Sequence, residues 1–135
     1  MRGITKAALA ALILLGSMAQ AGEPVVFREV GKASIYDNGL AGRRTASGAR
    51  YDPRALTAAH PTLPMGAEVT VEALETGKKV KVRINDRGPF VRGRRIDLSR
   101  RAAEALGIVD DGVARVRITA TGEQLARAKA RTTRS

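Results

Sequence analysis

Hydrophobic residues recur at every second position in several short stretches of this 135-residue chain. Across residues 68–74 the alternation puts Val69, Val71 and Ala73 on one face, and across 79–84 it does the same with Val80, Val82 and Ile84. A period of two marks a half-buried strand, because successive side chains leave a strand on opposite faces. The turn-forming run Glu75-Thr76-Gly77-Lys78 separates the two stretches, so the pattern predicts an antiparallel hairpin with Glu68 and Glu72 facing cations of the second strand. A late strand is predicted over 113–120 and an early one over 30–36. Two stretches read as helices. Residues 54–59 follow Asp52-Pro53, a capping residue and a proline at the first helical position. Residues 100–106 follow Asp97-Leu98-Ser99 and stop at Gly107, with Leu98, Ala102 and Leu106 on one face. Short strands interrupted by two short helices predict a mainly β fold, a small closed barrel whose closure removes exposed edges.

The first residues read differently. Arg2 and Lys6 precede an apolar run over 7–15, and Ala19-Gln20-Ala21 follows. That is the three-part layout of a secretory signal, with cleavage expected after Ala21. The apolar run is shorter than the roughly 20 residues that span a bilayer. The expected organisation is a signal peptide over 1–21, one domain over 22–120, and a basic tail over 121–135 expected to stay solvated and mobile. The sequence contains no cysteine, so the exported chain is expected to be unlipidated and to fold without disulfides. One histidine and no cysteine leave too few ligands for a tetrahedral zinc site, and neither a metal nor another cofactor is expected.

Charge narrows the partners. The chain carries a net charge of +11, or +9 once Arg2 and Lys6 are set aside. For an exported protein this suits anionic envelope polymers. Its aromatic residues are Phe27, Tyr36, Tyr51 and Phe90, too few for the stacking platforms of single-stranded nucleic-acid binding, so no nucleic acid is expected.

The most informative stretch is Ile84-Asn85-Asp86-Arg87-Gly88-Pro89-Phe90. It sets one carboxylate where a strand must stop, because proline lacks the amide donor and glycine admits conformations that other residues avoid. On the residues alone Asp86 reads either as a turn aspartate bonding its own backbone or as a reactive group on a rigid scaffold.

Three segments decide between these readings: Gly42-Arg43-Arg44-Thr45-Ala46-Ser47-Gly48-Ala49-Arg50-Tyr51-Asp52, then Leu56 through Gly66 with Ala58-Ala59-His60-Pro61-Thr62-Leu63-Pro64, then Asn85 to Phe90 followed by Arg95-Ile96-Asp97-Leu98-Ser99. Their order and spacing closely resemble the rare lipoprotein A (RlpA-like) family over roughly residues 31–120. The resemblance implies a six-stranded double-psi β-barrel related to expansins and barwin-type domains. It also implies a septal, endolytic lytic transglycosylase acting on peptidoglycan glycan strands, preferring those stripped of stem peptides. By the same resemblance Asp86 is the principal catalytic carboxylate and His60 stands beside the groove as a second catalytic group. Tyr36, Thr45 and Ser47 line the groove, and Asn85 and Arg87 flank the carboxylate as substrate-binding residues. Gly88 and Pro89 are structural. Asp97 is structural too, as a helix N-cap or as a bond shaping the barrel. Arg43 and Arg44, like Arg87, suit an acidic glycan. A monomer is expected.

One position departs from the family pattern. Where its members usually carry a glutamate after Ser47-Gly48, this chain has Ala49. Ordinary glycosidases need two carboxylates. A lytic transglycosylase needs less, because the substrate's own C6 hydroxyl attacks the anomeric carbon and one group can serve as acid and then base. Ala49 favours a second reading, a non-catalytic, expansin-like module that binds wall polysaccharide.

Overall fold

The computed structural model describes residues 23–134, and the signal peptide predicted over 1–21 lies outside the described residues. Six strands form: β1 (Val25–Ile35), β2 (Thr57–Ala59), β3 (Glu68–Ala73), β4 (Lys79–Asp86), β5 (Arg94–Leu98) and β6 (Val113–Thr121). They close into a barrel in the order β1–β5–β2–β4–β3–β6. β1 runs parallel to β5 and β2 parallel to β4, while the other neighbours are antiparallel.

The period-two faces fill this barrel. Val69, Val71, Val80, Val82, Ile84, Ile96, Leu98, Val116 and Ile118 are buried, each contributing about 1.5–3 kcal/mol relative to exposure. The β3–β4 hairpin forms as predicted, with Glu68 opposite Arg83, Thr70 opposite Lys81 and Glu72 opposite Lys79. Glu72 accepts from Arg117 at 2.7 Å and stands 4.0 Å from the Lys79 ammonium.

Three sequence expectations are corrected. Residues 54–59 do not form a helix. Asp52 instead caps a turn, its Oδ1 accepting from the Arg54 amide at 2.9 Å, and the chain then straightens into β2. Strands β4 and β5 flank β2 on both sides, so pairing available only in the closed barrel overrides the local helix signal. The helix α1 (Arg100–Leu106) forms, but its N-cap is Ser99, not Asp97. Ser99 Oγ accepts from the Ala102 amide at 3.2 Å, and Gly107 ends the helix at φ 78°. Asp97 takes the other predicted role. It accepts from Ser34 Oγ of β1 and from Arg94 at 2.7 Å, fastening β1 to β5.

The basic tail is the third correction. It forms helix α2 (Gly122–Arg134), with Ala128 fully buried and Leu125 packed on the core. Thr121 and Gln124 start it reciprocally. The Gln124 amide donates to Thr121 Oγ1 at 3.1 Å, and the Thr121 amide donates to Gln124 Oε1 at 2.8 Å. This is a capping box.

Candidate active site

The site is assembled at the end of β4. Val80, Val82 and Ile84 point inward, and the strand continues through Asn85 to Asp86 before a turn built on Gly88, at φ 104°, and a cis Gly88–Pro89 bond. Both turn residues are buried. Pairing between β2 and β4 shifts register between Ala58 and Ala59, which sets Ala59 opposite Asp86. Such a shift re-aims the side chain that follows it.

Three donors converge on the Asp86 carboxylate. Tyr36 donates its hydroxyl to Oδ2 at 2.6 Å, and the amides of Ala46 and Arg87 each donate to Oδ1 at 2.9 Å. Oδ2, with one partner, is the freer oxygen. Tyr36 is itself held by its ring, which packs on Tyr51 with centroids 4.5 Å apart. Burial, and then the hydrogen bond to Asp86, pushes the Tyr36 phenol up to about 12, so it keeps its proton as the donor.

The Ala46 amide is delivered by a small folded loop. Gly42 and Tyr51 close it through Gly42 N–H to Tyr51 O at 2.9 Å and Tyr51 N–H to Arg43 O at 2.7 Å. Its tip is tied back to β4 by Ser47 N–H donating to Asn85 O at 3.1 Å. Within the tip, Thr45 Oγ1 donates to Ala49 O at 2.8 Å and so accepts from Ser47 Oγ, also at 2.8 Å. Tyr36, Thr45, Tyr51, Ala59 and Asn85 together line a narrow cleft. Ser47 and Ala49, in the loop tip, are exposed.

His60 does not join this group. Its ring is fully buried, with Nε2 2.8 Å from Glu29 Oε1 and Nδ1 accepting from the amides of Thr62 and Leu63 at 3.1 and 3.0 Å. An Nδ1 that accepts two amides leaves the ring proton on Nε2, donated to Glu29. No ring atom remains for a glycan, and only the backbone touches the carboxylate residue, His60 N–H donating to Asp86 O at 3.1 Å. One guanidinium nitrogen of Arg87 is also engaged within the protein. Its Nη1 donates to His60 O at 3.1 Å and Leu63 O at 2.6 Å, clamping the segment after β2. His60 and Arg87 thus fasten the segment after β2 through bonds within the protein.

Sequence reading missed two participants. Glu29 bridges His60 and Arg95, the latter at 3.1 Å. It sits on the inward-facing register of β1, where a carboxylate on an otherwise apolar face is the signal that would have found it. The Ala46 amide had no such signal, since a backbone donor has no letter in the sequence.

Burial holds His60 below the ordinary histidine value, opposed by its bond to Glu29. A base depressed in the folded state is protonated first in the unfolded chain. Its neutral form thus contributes full stability above about pH 6.5, and that contribution shrinks as pH falls from there toward the folded value. Thermal melts between pH 7.5 and 5 are expected to show Tm falling on acidification, with a shallower fall in His60→Gln.

Comparison with known proteins places this geometry. A family model described as lytic transglycolase matches residues 28–118. A probable endolytic peptidoglycan transglycosylase RlpA from Nostoc is 55% identical over 94 residues, which cover 68% of this chain and 25% of that protein. Across the similar relatives, this chain spans about a quarter to two fifths of their length. Among solved structures, the Streptomyces papain inhibitor superposes with a TM-score of 0.57 at 25% identity, covering 73% of this chain and 97% of the inhibitor. A Clavibacter michiganensis expansin gives 0.55 at 20% identity, covering 71% and 52%. The shared architecture is the double-psi β-barrel.

Proposed function

Because this chain belongs to the lytic transglycolase family, we propose that it is an exported endolytic lytic transglycosylase of peptidoglycan, with Asp86 as its proton-transfer group. The observation that carries the reading is a single carboxylate at a strand end, oriented by three donors. In the reaction the Asp86 carboxyl gives its proton to the glycosidic oxygen as the MurNAc C1–O bond breaks. The C6 hydroxyl oxygen then closes on C1 to form the 1,6-anhydro ring, and its proton returns to Asp86. Water takes no part, and the protonated Asp86 carboxyl is restored at the end of each turnover. Tyr36 fixes the acting oxygen. The exposed Ser47 and the neighbouring Asn85 are the polar groups offered to sugar hydroxyls.

The substrate on this reading is the glycan strand, preferentially stripped of stem peptides. The protein works as a monomer in the periplasm or wall at the division septum, and its net positive charge suits anionic envelope polymers. Ala49 supports one other reading, a glycan-binding module without chemistry.

Purified peptide-free strands test both, with 1,6-anhydro ends read by mass spectrometry. Anhydro ends released by the wild-type chain support the enzyme. Strand binding without anhydro product, in wild type and Ala49→Glu alike, supports the module instead. In an active chain, Tyr36→Phe deletes one charge-assisted donor to Asp86, and the expected loss in kcat is roughly ten-fold with KM little changed. Steady-state kinetics on the same strands measure it.

A further inference from the structure

Outside the cleft, the most distinctive surface is the outer face of the long β1–β6 ribbon. The two strands pair with Arg28 opposite Thr119, Val30 opposite Arg117 and Lys32 opposite Arg115. Alternation turns Phe27, Glu29 and Ala33 toward the interior and leaves Arg28, Val30 and Lys32 outside. The outward positions thus hold four cations, Arg28, Lys32, Arg115 and Arg117, and no carboxylate. Acids nearby are already engaged: Glu72 with Arg117 and Lys79, Asp97 with Arg94, and Glu29 with His60 and Arg95. Among the described residues the side chains of Arg28, Lys32 and Arg115 have no hydrogen bond or ion pair. Lys32 lies directly opposite Arg115 on one side and Arg94 on the other. Arg94 is paired with Asp97, but Lys32 and Arg115 stand opposite as like charges, which oppose folding and which an anion outside the protein would relieve.

Exposed apolar side chains lie along the same two strands, Val30 between Arg28 and Lys32, Val25 and Val26 at one end of the ribbon and Val113 at the other. Of the seven exposed large hydrophobic residues described, Val25, Val26, Val30 and Val113 belong to β1 and β6, each 43 to 62% exposed. Cations interleaved with exposed apolar side chains fit a charged lipid interface, where the first meet headgroups and the second leave water. A soluble polyanion would satisfy the cations and gain nothing from the valines.

We propose that the β1–β6 face docks on an anionic phospholipid surface. This proposal is independent of the transglycosylase reading, because it concerns a face that carries none of the residues around Asp86. The test uses the chain from Gly22 onward, which contains every element of the barrel, sedimented with vesicles of phosphatidylglycerol and phosphatidylcholine or of phosphatidylcholine alone. Binding to the anionic vesicles only, weakening with salt, is expected. Each basic residue brought to such a surface strengthens binding about five-fold. Lys32→Gln/Arg115→Gln should therefore bind roughly 25-fold more weakly, while Lys81→Gln/Arg83→Gln, the same charge change on β4, should stay within about two-fold of wild type. Val30→Ser should also weaken binding. Circular dichroism melts verify folding, and Arg28→Gln/Arg115→Gln gives the same reading should the first pair be unstable. Equal losses from the β4 pair would show that net charge alone acts, and would overturn the proposal. So would equal binding to uncharged vesicles, no vesicle binding at all, or capture of soluble polyphosphate with equal affinity and no effect of Val30→Ser.

Discussion

Asp86→Asn is expected to lower the rate of 1,6-anhydro end formation on peptide-free glycan by about 10²–10⁴-fold, the usual contribution of a positioned acid–base group. The substitution is close to isosteric. Its amide oxygen can still accept from the Ala46 and Arg87 amides, and its amino group can donate to the Tyr36 hydroxyl in place of the bond that now runs the other way. The cleft should keep its shape and its affinity for strands. What disappears is a group able to release a proton to the leaving oxygen and take one from C6. Mass spectrometry of products, strand-binding measurements and a melt separate the possibilities. Unchanged turnover would remove Asp86 from the chemistry, and a large drop in Tm would mean the substitution had damaged the fold.

The second large effect is on stability. His60→Ala removes a fully buried ring that accepts from two amides and donates to a carboxylate. It also removes the edge-to-face contact with Phe27, whose centroid lies 6.1 Å away. The Thr62 and Leu63 amides lose their acceptor, and Glu29 keeps only Arg95. Unsatisfied buried groups cost about 1–3 kcal/mol each, and the vacated volume adds to that. A total of about 3 kcal/mol or more is expected, lowering Tm by upwards of about 10 °C. Turnover per folded molecule, measured below both melting points, should fall less than about ten-fold. An unchanged melt with abolished turnover would return His60 to the reacting groups.

Local signals explain which parts of this fold were legible in the sequence. The β3–β4 hairpin, the end of α1 at Gly107 and the stop after Asp86 all depend on residues adjacent in the chain, and each forms where the pattern put it. Residues 54–59 do not, because a capping aspartate and a proline describe only the chain's own preference. The two strands that flank β2 arrive from 20 to 40 residues further on. The tail was read by charge, while the features that fix α2 are the Thr121–Gln124 cap and the small, buried Ala128. At the site, the family resemblance pointed to Asp86 and Tyr36, which the fold brings into a 2.6 Å hydrogen bond. The resemblance also pointed to His60, Arg87 and Thr45, whose side chains bond to carbonyls, amides, a carboxylate and a neighbouring hydroxyl within the protein.

The loop over Asp86 grips its carboxylate through the amide of Ala46 and the end of β4 through the amide of Ser47. Every amino acid except proline supplies that amide. The loop's hold on the Asp86 carboxylate is therefore written in the path of the chain and not in the spelling of the loop tip. Side chains at 46, 47 and 49 can thus change, proline apart, while the two amides that hold Asp86 and the end of β4 stay in place.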